Sequence, residues 1–189
     1  MKEKRKTKNR RFWRTIRQVV LLAGLAFLCS VMILRERREL REKYSVVGFE
    51  AVDIAYVIDG DTVIVTRQDG TRPHVRLAGI DCEESVSKKT ENTEKGRQAS
   101  EFTRKLLPEG MTIYLQKDVS ETDRYGRLVR YIWMELPEDS SDEKEVRAKM
   151  ANAVLLEQDM AEPMDIAPDL LYSDLFHELY DQTEHGQPS

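Results

Sequence analysis

Histidine and cysteine are scarce in this chain, and their scarcity removes whole classes of chemistry. The 3 histidines are His74 on a strand pattern, His177 on a helix pattern and His185 in the tail. None has the spacing of a metal-ligand pair, so a histidine-built metal centre or catalytic triad finds no support. The 2 cysteines are split between an apolar run (Cys29) and the rest of the chain (Cys82), so no disulfide can form within one domain. Internal repeats and low-complexity tracts are absent. A general excess of positive charge is missing too: the net charge is −4, which excludes surface-wide electrostatic attraction to nucleic acid.

That net charge hides a division. Residues 1–43 carry 14 basic and 4 acidic side chains, and residues 44–189 carry 16 and 30. Most of the acidity lies in 135–189, with 15 acids against 3 bases, while 44–134 is near neutral with 13 bases and 15 acids. Affinity of this domain for a polyanion must therefore come from a local site and a bound metal.

Val19 to Leu34 is a run of 16 residues without a charge. As a helix it would span roughly 24 Å against a hydrocarbon core of about 30 Å. Arg17 and Arg35 can snorkel to make up part of the difference. The alternative is a cleavable signal peptide, but no small-x-small site follows the run. Gly24-Leu-Ala26 lies too early, and Phe27-Leu28 before Cys29 suits a lipoprotein site poorly. An uncleaved anchor is the expectation, with the strongly basic residues 1–18 cytoplasmic and the C-terminal domain outside the cytoplasm. The predicted organisation is a basic tail at 1–18, a transmembrane anchor at 19–34, a charged connector at 35–48, a folded domain at 49–183 and a tail at 184–189.

Within the domain, strand patterns cover 49–57, 62–66, 74–80, 111–115 and 128–133, and helical patterns cover 97–107, 146–156 and 170–180. Residues 82–96 are polar and read as a loop. An α+β fold follows: a five-stranded OB-type barrel with about three helices, preceded by one transmembrane helix.

Three charged motifs fall at strand ends: Val57-Ile-Asp-Gly-Asp-Thr-Val63, Arg76-Leu-Ala-Gly-Ile-Asp-Cys-Glu-Glu84 and Asp123-Arg-Tyr-Gly-Arg127. Singly, each has an ordinary reading. Asp59-Gly60 is a hairpin pair, Asp81 could cap a loop, Glu84 could be solvated surface, and Arg127 could pair with Asp123. Jointly they supply hard oxygen ligands, a base for water and fixed positive charge for phosphate, the needs of a metal-dependent phosphodiesterase.

Their order and spacing resemble the staphylococcal nuclease (thermonuclease) family over about residues 50–160, with Gly96-Arg-Gln-Ala-Ser-Glu-Phe-Thr-Arg-Lys105 resembling the family's helix start. The resemblance implies calcium as cofactor, held by Asp61, Asp81 and the backbone carbonyl of Cys82. It implies Glu84 as general base, Arg76 and Arg127 as the pair gripping the scissile phosphate, and Arg124 and Tyr125 as contacts to a terminal phosphate. The implied reaction is in-line water attack on single-stranded DNA or RNA, leaving a 3′-phosphate. No protein partner is implied. The chain departs from the family at Cys82 and Glu83, where Thr and Pro are common, and in Glu162-Pro-Met-Asp-Ile-Ala-Pro168, where aromatics are frequent. Those departures keep an alternative open: a membrane-tethered, non-catalytic module binding nucleic acid or protein.

Overall fold

The computed structural model describes residues 48–83 and 93–183, with helical residues at 18, 23–25, 27–29, 31, 32 and 35. The chain divides into two units, Met1–Lys43 and Tyr44–Ser189. In the first unit, the described apolar side chains Leu25, Phe27, Leu28 and Met32 are exposed. Among the described residues no helix is long and apolar enough to cross a membrane. Part of the expected anchor at 19–34, most of the connector at 35–48 and the tail at 184–189 lie outside the described residues.

The second unit contains short and longer strands, the longer ones carrying β-branched and aromatic residues. The strands are β1 (Phe49–Asp59), β2 (Thr62–Thr66), β3 (His74–Leu77), β4 (Ile80–Asp81), β5 (Thr112–Gln116), β6 (Leu128–Trp133) and β7 (Glu162–Pro163). Five of them close a barrel in the order β1-β2-β3-β6-β5, the OB-type arrangement expected. All neighbours are antiparallel except β3 and β6, which run parallel with Val75 opposite Leu128. β1 pairs with both β2 and β5, and register shifts at Ile54/Tyr56 and Val57/Asp59 let it bend round the barrel. Val52, Ile54, Val63, Val65, Val75, Leu77, Ile113, Leu115 and Ile132 are buried in the core.

The third strand is shorter than its apolar pattern. It was expected to run to Ile80 but stops at Leu77, because Ala78-Gly79 turn the chain into β4, which pairs with β7 instead. Gly79 has φ +74, and a Cβ there would lie 2.8 Å from the Phe176 ring. Backbone conformation and packing both demand glycine.

The helices are α1 (Glu94–Leu106), α2 (Glu143–Lys149), α3 (Ala151–Glu157) and α4 (Ser173–Asp181). α1 starts one turn before the expected Arg97, because Thr93 caps it by accepting from the Gly96 amide at 3.0 Å. The single helix expected at 146–156 is two. Met150 is extended (φ −96, ψ 121) and bridges Trp133 in β6, which breaks the helix between α2 and α3. The final helix begins at Ser173 rather than 170, so Leu171, expected on its apolar face, is exposed while Phe176 and Leu179 are buried.

Two helices are tied directly to turns of the barrel. From α1, Thr103 donates to the Gly60 carbonyl at 2.8 Å and Ser100 donates to Asp59 at 2.8 Å, clamping the β1–β2 turn. From α3, buried Asn152 accepts from the Ile132 amide at 3.0 Å and donates to the Ala78 carbonyl at 2.8 Å, clamping the β3–β4 turn. Behind that turn the rings of Tyr131, Tyr172 and Phe176 pack together, the first two edge-on at 4.7 Å. Tyr131 and Trp133 are thus core residues, as their strand pattern suggested.

Candidate active site

The β1–β2 turn, the β3–β4 turn and the segment before β6 face one cavity of about 680 Å³. Each turn contributes one of the charged motifs.

Asp61 opens the hairpin and is nearly buried. Its Oδ1 accepts from the Thr62 hydroxyl at 2.9 Å, and its Oδ2 accepts from the Cys82 amide at 3.0 Å. Thr62 stands opposite Arg76 in the β2–β3 register. The Arg76 guanidinium lies 3.0 Å from Asp61 Oδ2 and 2.6 Å from Asp81 Oδ1, and Nη1 also donates to the Leu77 carbonyl at 3.2 Å. One rigid fork therefore brings two carboxylates to the same wall of the cavity. The two differ in setting: the Asp61 side chain is 11% exposed and that of Asp81 54%.

Cys82 is buried beside them. A Cβ on Gly60 would lie 2.8 Å from both Cβ and Sγ of Cys82 and 3.1 Å from Ala99, so this turn can approach the helix and the β3–β4 segment only as glycine. Burial, reinforced by the Asp61 charge, pushes the Cys82 thiol well above its ordinary range. Its sulfur stays protonated and is no ligand for a hard cation.

The opposite wall is the Asp123–Arg127 turn. Asp123 Oδ1 accepts from the Tyr125 amide at 2.9 Å and the Arg127 amide at 3.0 Å, while Oδ2 takes Arg127 Nε at 2.7 Å. Burial works to raise the Asp123 carboxyl. The hydrogen bonds from the Arg127 side chain and the two amides outweigh it and hold the group below the usual carboxylate range. Gly126, at φ +80, permits the tight return. The ordinary reading, that Arg127 pairs with Asp123, holds geometrically. Yet Arg127 also lines the cavity and its Nη1 donates to Thr62 at 3.2 Å. Tyr125 is 68% exposed, with the guanidinium carbons of Arg124 and Arg127 at 4.7 and 5.5 Å from its ring centroid.

The structure thus gathers Asp61, Arg76, Asp81, Cys82, Arg124, Tyr125 and Arg127 around one cavity. Glu84, expected as general base, lies outside the described residues. Two features escaped the reading of the sequence. The Thr62 hydroxyl touches both Asp61 and Arg127, and only the motif Asp-Gly-Asp-Thr hinted at it. Met164, Ile166 and Asp169 also line the cavity, brought there by the β4–β7 pairing and a Met164 amide donating to the Gly79 carbonyl at 2.9 Å. No local signal marked that pairing. Of the other histidines, His177 sits 3.0 Å from Asp165 on the surface, away from the cavity lining.

Among the described residues no group of three or more His, Cys, Asp or Glu is placed to hold a metal. Asp61 and Asp81 offer carboxylate oxygens on one wall, a chemistry that suits a hard cation such as calcium, and the family resemblance would add the Cys82 backbone carbonyl. The Arg76 guanidinium lies between these two carboxylates, and the Arg127 guanidinium, paired with Asp123, lines the same cavity.

Comparison with known proteins identifies the family. Residues 74–181 match the staphylococcal nuclease homologue family. A thermonuclease of Staphylococcus hyicus is 38% identical over 97 residues, 51% of this chain and 55% of that protein. A thermonuclease of Staphylococcus intermedius is 39% identical over 85 residues, 45% of this chain and 49% of its own length. An uncharacterised Bacillus anthracis protein is 36% identical over 89 residues, 46% of this chain and 41% of its own. The chain spans about half the length of the curated relatives it matches. The family match takes in more than half of the chain and all of the cavity's second and third motifs, and the protein belongs to the staphylococcal nuclease homologue family.

Proposed function

We propose that this protein is a calcium-dependent nuclease that hydrolyses phosphodiester bonds in single-stranded DNA or RNA. One observation carries the reading: Asp61 and Asp81, bridged by Arg76, share a cavity with Arg127. A surface ion-pair network needs no such convergence on a cavity. A single strand can bend a phosphate into it, whereas a duplex is stiff over many base pairs.

In this reading Arg76 and Arg127 grip the non-bridging oxygens of the scissile phosphate, and their charge is matched to the extra negative charge of a five-coordinate phosphorus. Glu84 orients the attacking water and accepts its proton. Attack runs in line with the bond to the 5′ oxygen, which breaks and takes up a proton from solvent, leaving a 3′-phosphate and a 5′-hydroxyl. Calcium held by Asp61, Asp81 and the Cys82 carbonyl would neutralise charge on the phosphate. Arg124 and Tyr125 meet a terminal phosphate at the rim.

The proposed location is the membrane, with residues 19–34 as a single-pass anchor and the domain on its outer side. The uncharged run, its basic N-terminal flank and the exposed Leu25, Phe27, Leu28 and Met32 support this. Sedimentation of the full chain with membranes, and protease access from outside the cell, are the expected results.

The acidity of 135–189 and a cavity lining whose aromatic member is Tyr125 favour a second reading, a non-catalytic binding module. The two separate in one experiment. End-labelled single-stranded DNA and RNA are incubated with the full chain, with calcium or with chelator, and the new ends are treated with a 3′-phosphatase. Calcium-dependent cleavage with phosphatase-sensitive 3′ ends is expected; binding without cleavage in either condition would favour the module.

A further inference from the structure

The Thr62 hydroxyl is in contact with both walls of the cavity. It lies on β2 at the hinge of the hairpin, 5% exposed, and is locked from two sides. Asp61 is a carboxylate and can only accept, so the hydroxyl proton must point to Asp61 Oδ1, 2.9 Å away. Arg127 can only donate, so its Nη1 must use a lone pair of the same oxygen, 3.2 Å away. The direction of both bonds is thereby fixed by chemistry, with no rotamer of the hydroxyl left to choose. Beyond these two neighbours the chain of contacts continues. Asp61 reaches Arg76 and the Cys82 amide, and Arg127 reaches Asp123.

We propose that Thr62 is a positioning residue that couples the cation side of the site to the phosphate side. The inference rests on the proposed nuclease activity. A cation held by Asp61 would make the carboxylate a weaker acceptor, so the Thr62 hydroxyl would be less polarised and its hold on the Arg127 guanidinium would loosen. The guanidinium is thereby kept in place by Thr62 and eased toward phosphate when the carboxylate wall is engaged. Thr62, almost fully buried, acts through Arg127. Hydrogen-bond chains of this kind polarise one another, and a misplacement of about 1 Å in a gripping group can cost about 100-fold in rate.

The test uses the full chain and three residues at one position: Thr62, Thr62→Val, which keeps shape but loses the hydroxyl, and Thr62→Ser, which keeps the hydroxyl. Calorimetry establishes calcium binding. Proton–nitrogen NMR then follows the Arg127 Nε–Hε signal, assigned by its disappearance in Arg127→Lys, as calcium is added. The signal is expected to move in wild type and Thr62→Ser and to stay put in Thr62→Val. In parallel, kcat for single-stranded DNA should fall about tenfold or more in Thr62→Val with KM little changed, and recover most of its value in Thr62→Ser.

Equal movement of the Arg127 signal in Thr62→Val, or none in a wild type that binds calcium, overturns the coupling while leaving the nuclease reading standing. A wild type that binds no calcium overturns both. Should Thr62→Val fail to fold, Thr62→Ala removes the hydroxyl without adding apolar volume and is read by the same signal.

Discussion

The two turns that face each other across the cavity are built by opposite means. The Asp59–Thr62 turn is held from outside: α1 grips Asp59 and the Gly60 carbonyl, and the Leu77 amide takes the Asp61 carbonyl at 2.9 Å. Its glycine is required by Cys82 and Ala99, residues remote in sequence. The Asp123–Arg127 turn holds itself. Asp123 accepts two amides and one guanidinium from within its own five residues, and the turn stands in the open with Tyr125 exposed. A turn assembled from three distant segments places its carboxylate firmly but fails when any of them shifts. A self-contained turn keeps its shape but is fixed to the barrel mainly at its base.

Breaking this contrast at the gripping side chains should give the largest effect. Arg76→Gln and Arg127→Gln should each lower kcat by about 10³-fold or more, the scale at which an arginine stabilises a phosphoryl transition state. The two should differ in a second readout. Arg76→Gln leaves Asp61 and Asp81 without their shared partner and should change calcium affinity, measured by calorimetry. Arg127→Gln, which reaches Asp61 only through Thr62, should change it by a smaller amount. Equal calcium affinities in the two variants would erase the distinction between the walls.

The next effect is steric. Gly60→Ala should destabilise the fold by about 1–3 kcal/mol in urea denaturation, because the added Cβ meets a packed cysteine and a packed alanine. Gly126→Ala strains backbone at φ +80 but meets nothing within 4 Å, so its cost should be smaller. The reverse order would show that the self-held turn is the more constrained.

Acid should weaken the Asp123 turn. The folded pKa of Asp123 lies below its ordinary 3.8, so its stabilising contribution is complete above that value and is lost as pH falls below it. The urea midpoint of wild type should therefore fall below about pH 4, and Asp123→Asn should show a shallower fall from a lower starting stability.

The smallest effect is at the clamp. Ser100→Ala, removing a partly buried hydrogen bond to a carboxylate, should cost about 1–2 kcal/mol. It should weaken calcium binding without altering the acid response of the other turn. The chemical-shift response to calcium and the pH dependence of stability check the two halves separately.

The same contrast explains what could be read from the sequence. Asp123-Arg-Tyr-Gly-Arg127 is legible because the side-chain partners of Asp123 lie within the motif. The barrel was legible too, since β2 and β6 are runs whose residue types state their own strand preference. What stayed hidden depends on long-range contact. Nothing near Met150 announces that its backbone will bridge Trp133 and break a helix. Nothing near Glu162 announces pairing with Ile80–Asp81, which brings Met164 and Ile166 to the cavity. Leu171 kept the helical spacing of an apolar face, but the chain turns at 170–172 and leaves it exposed.

The most direct measurement is cleavage of a labelled single-stranded oligonucleotide by the full chain across a calcium titration, beside Asp61→Asn and Glu84→Ala. The expected result is cleavage that rises with calcium and ceases with chelator. Asp61→Asn should shift the titration to higher calcium, and Glu84→Ala should lower the maximum rate without that shift. Cleavage indifferent to calcium, or unchanged in both variants, would contradict the calcium-dependent nuclease reading.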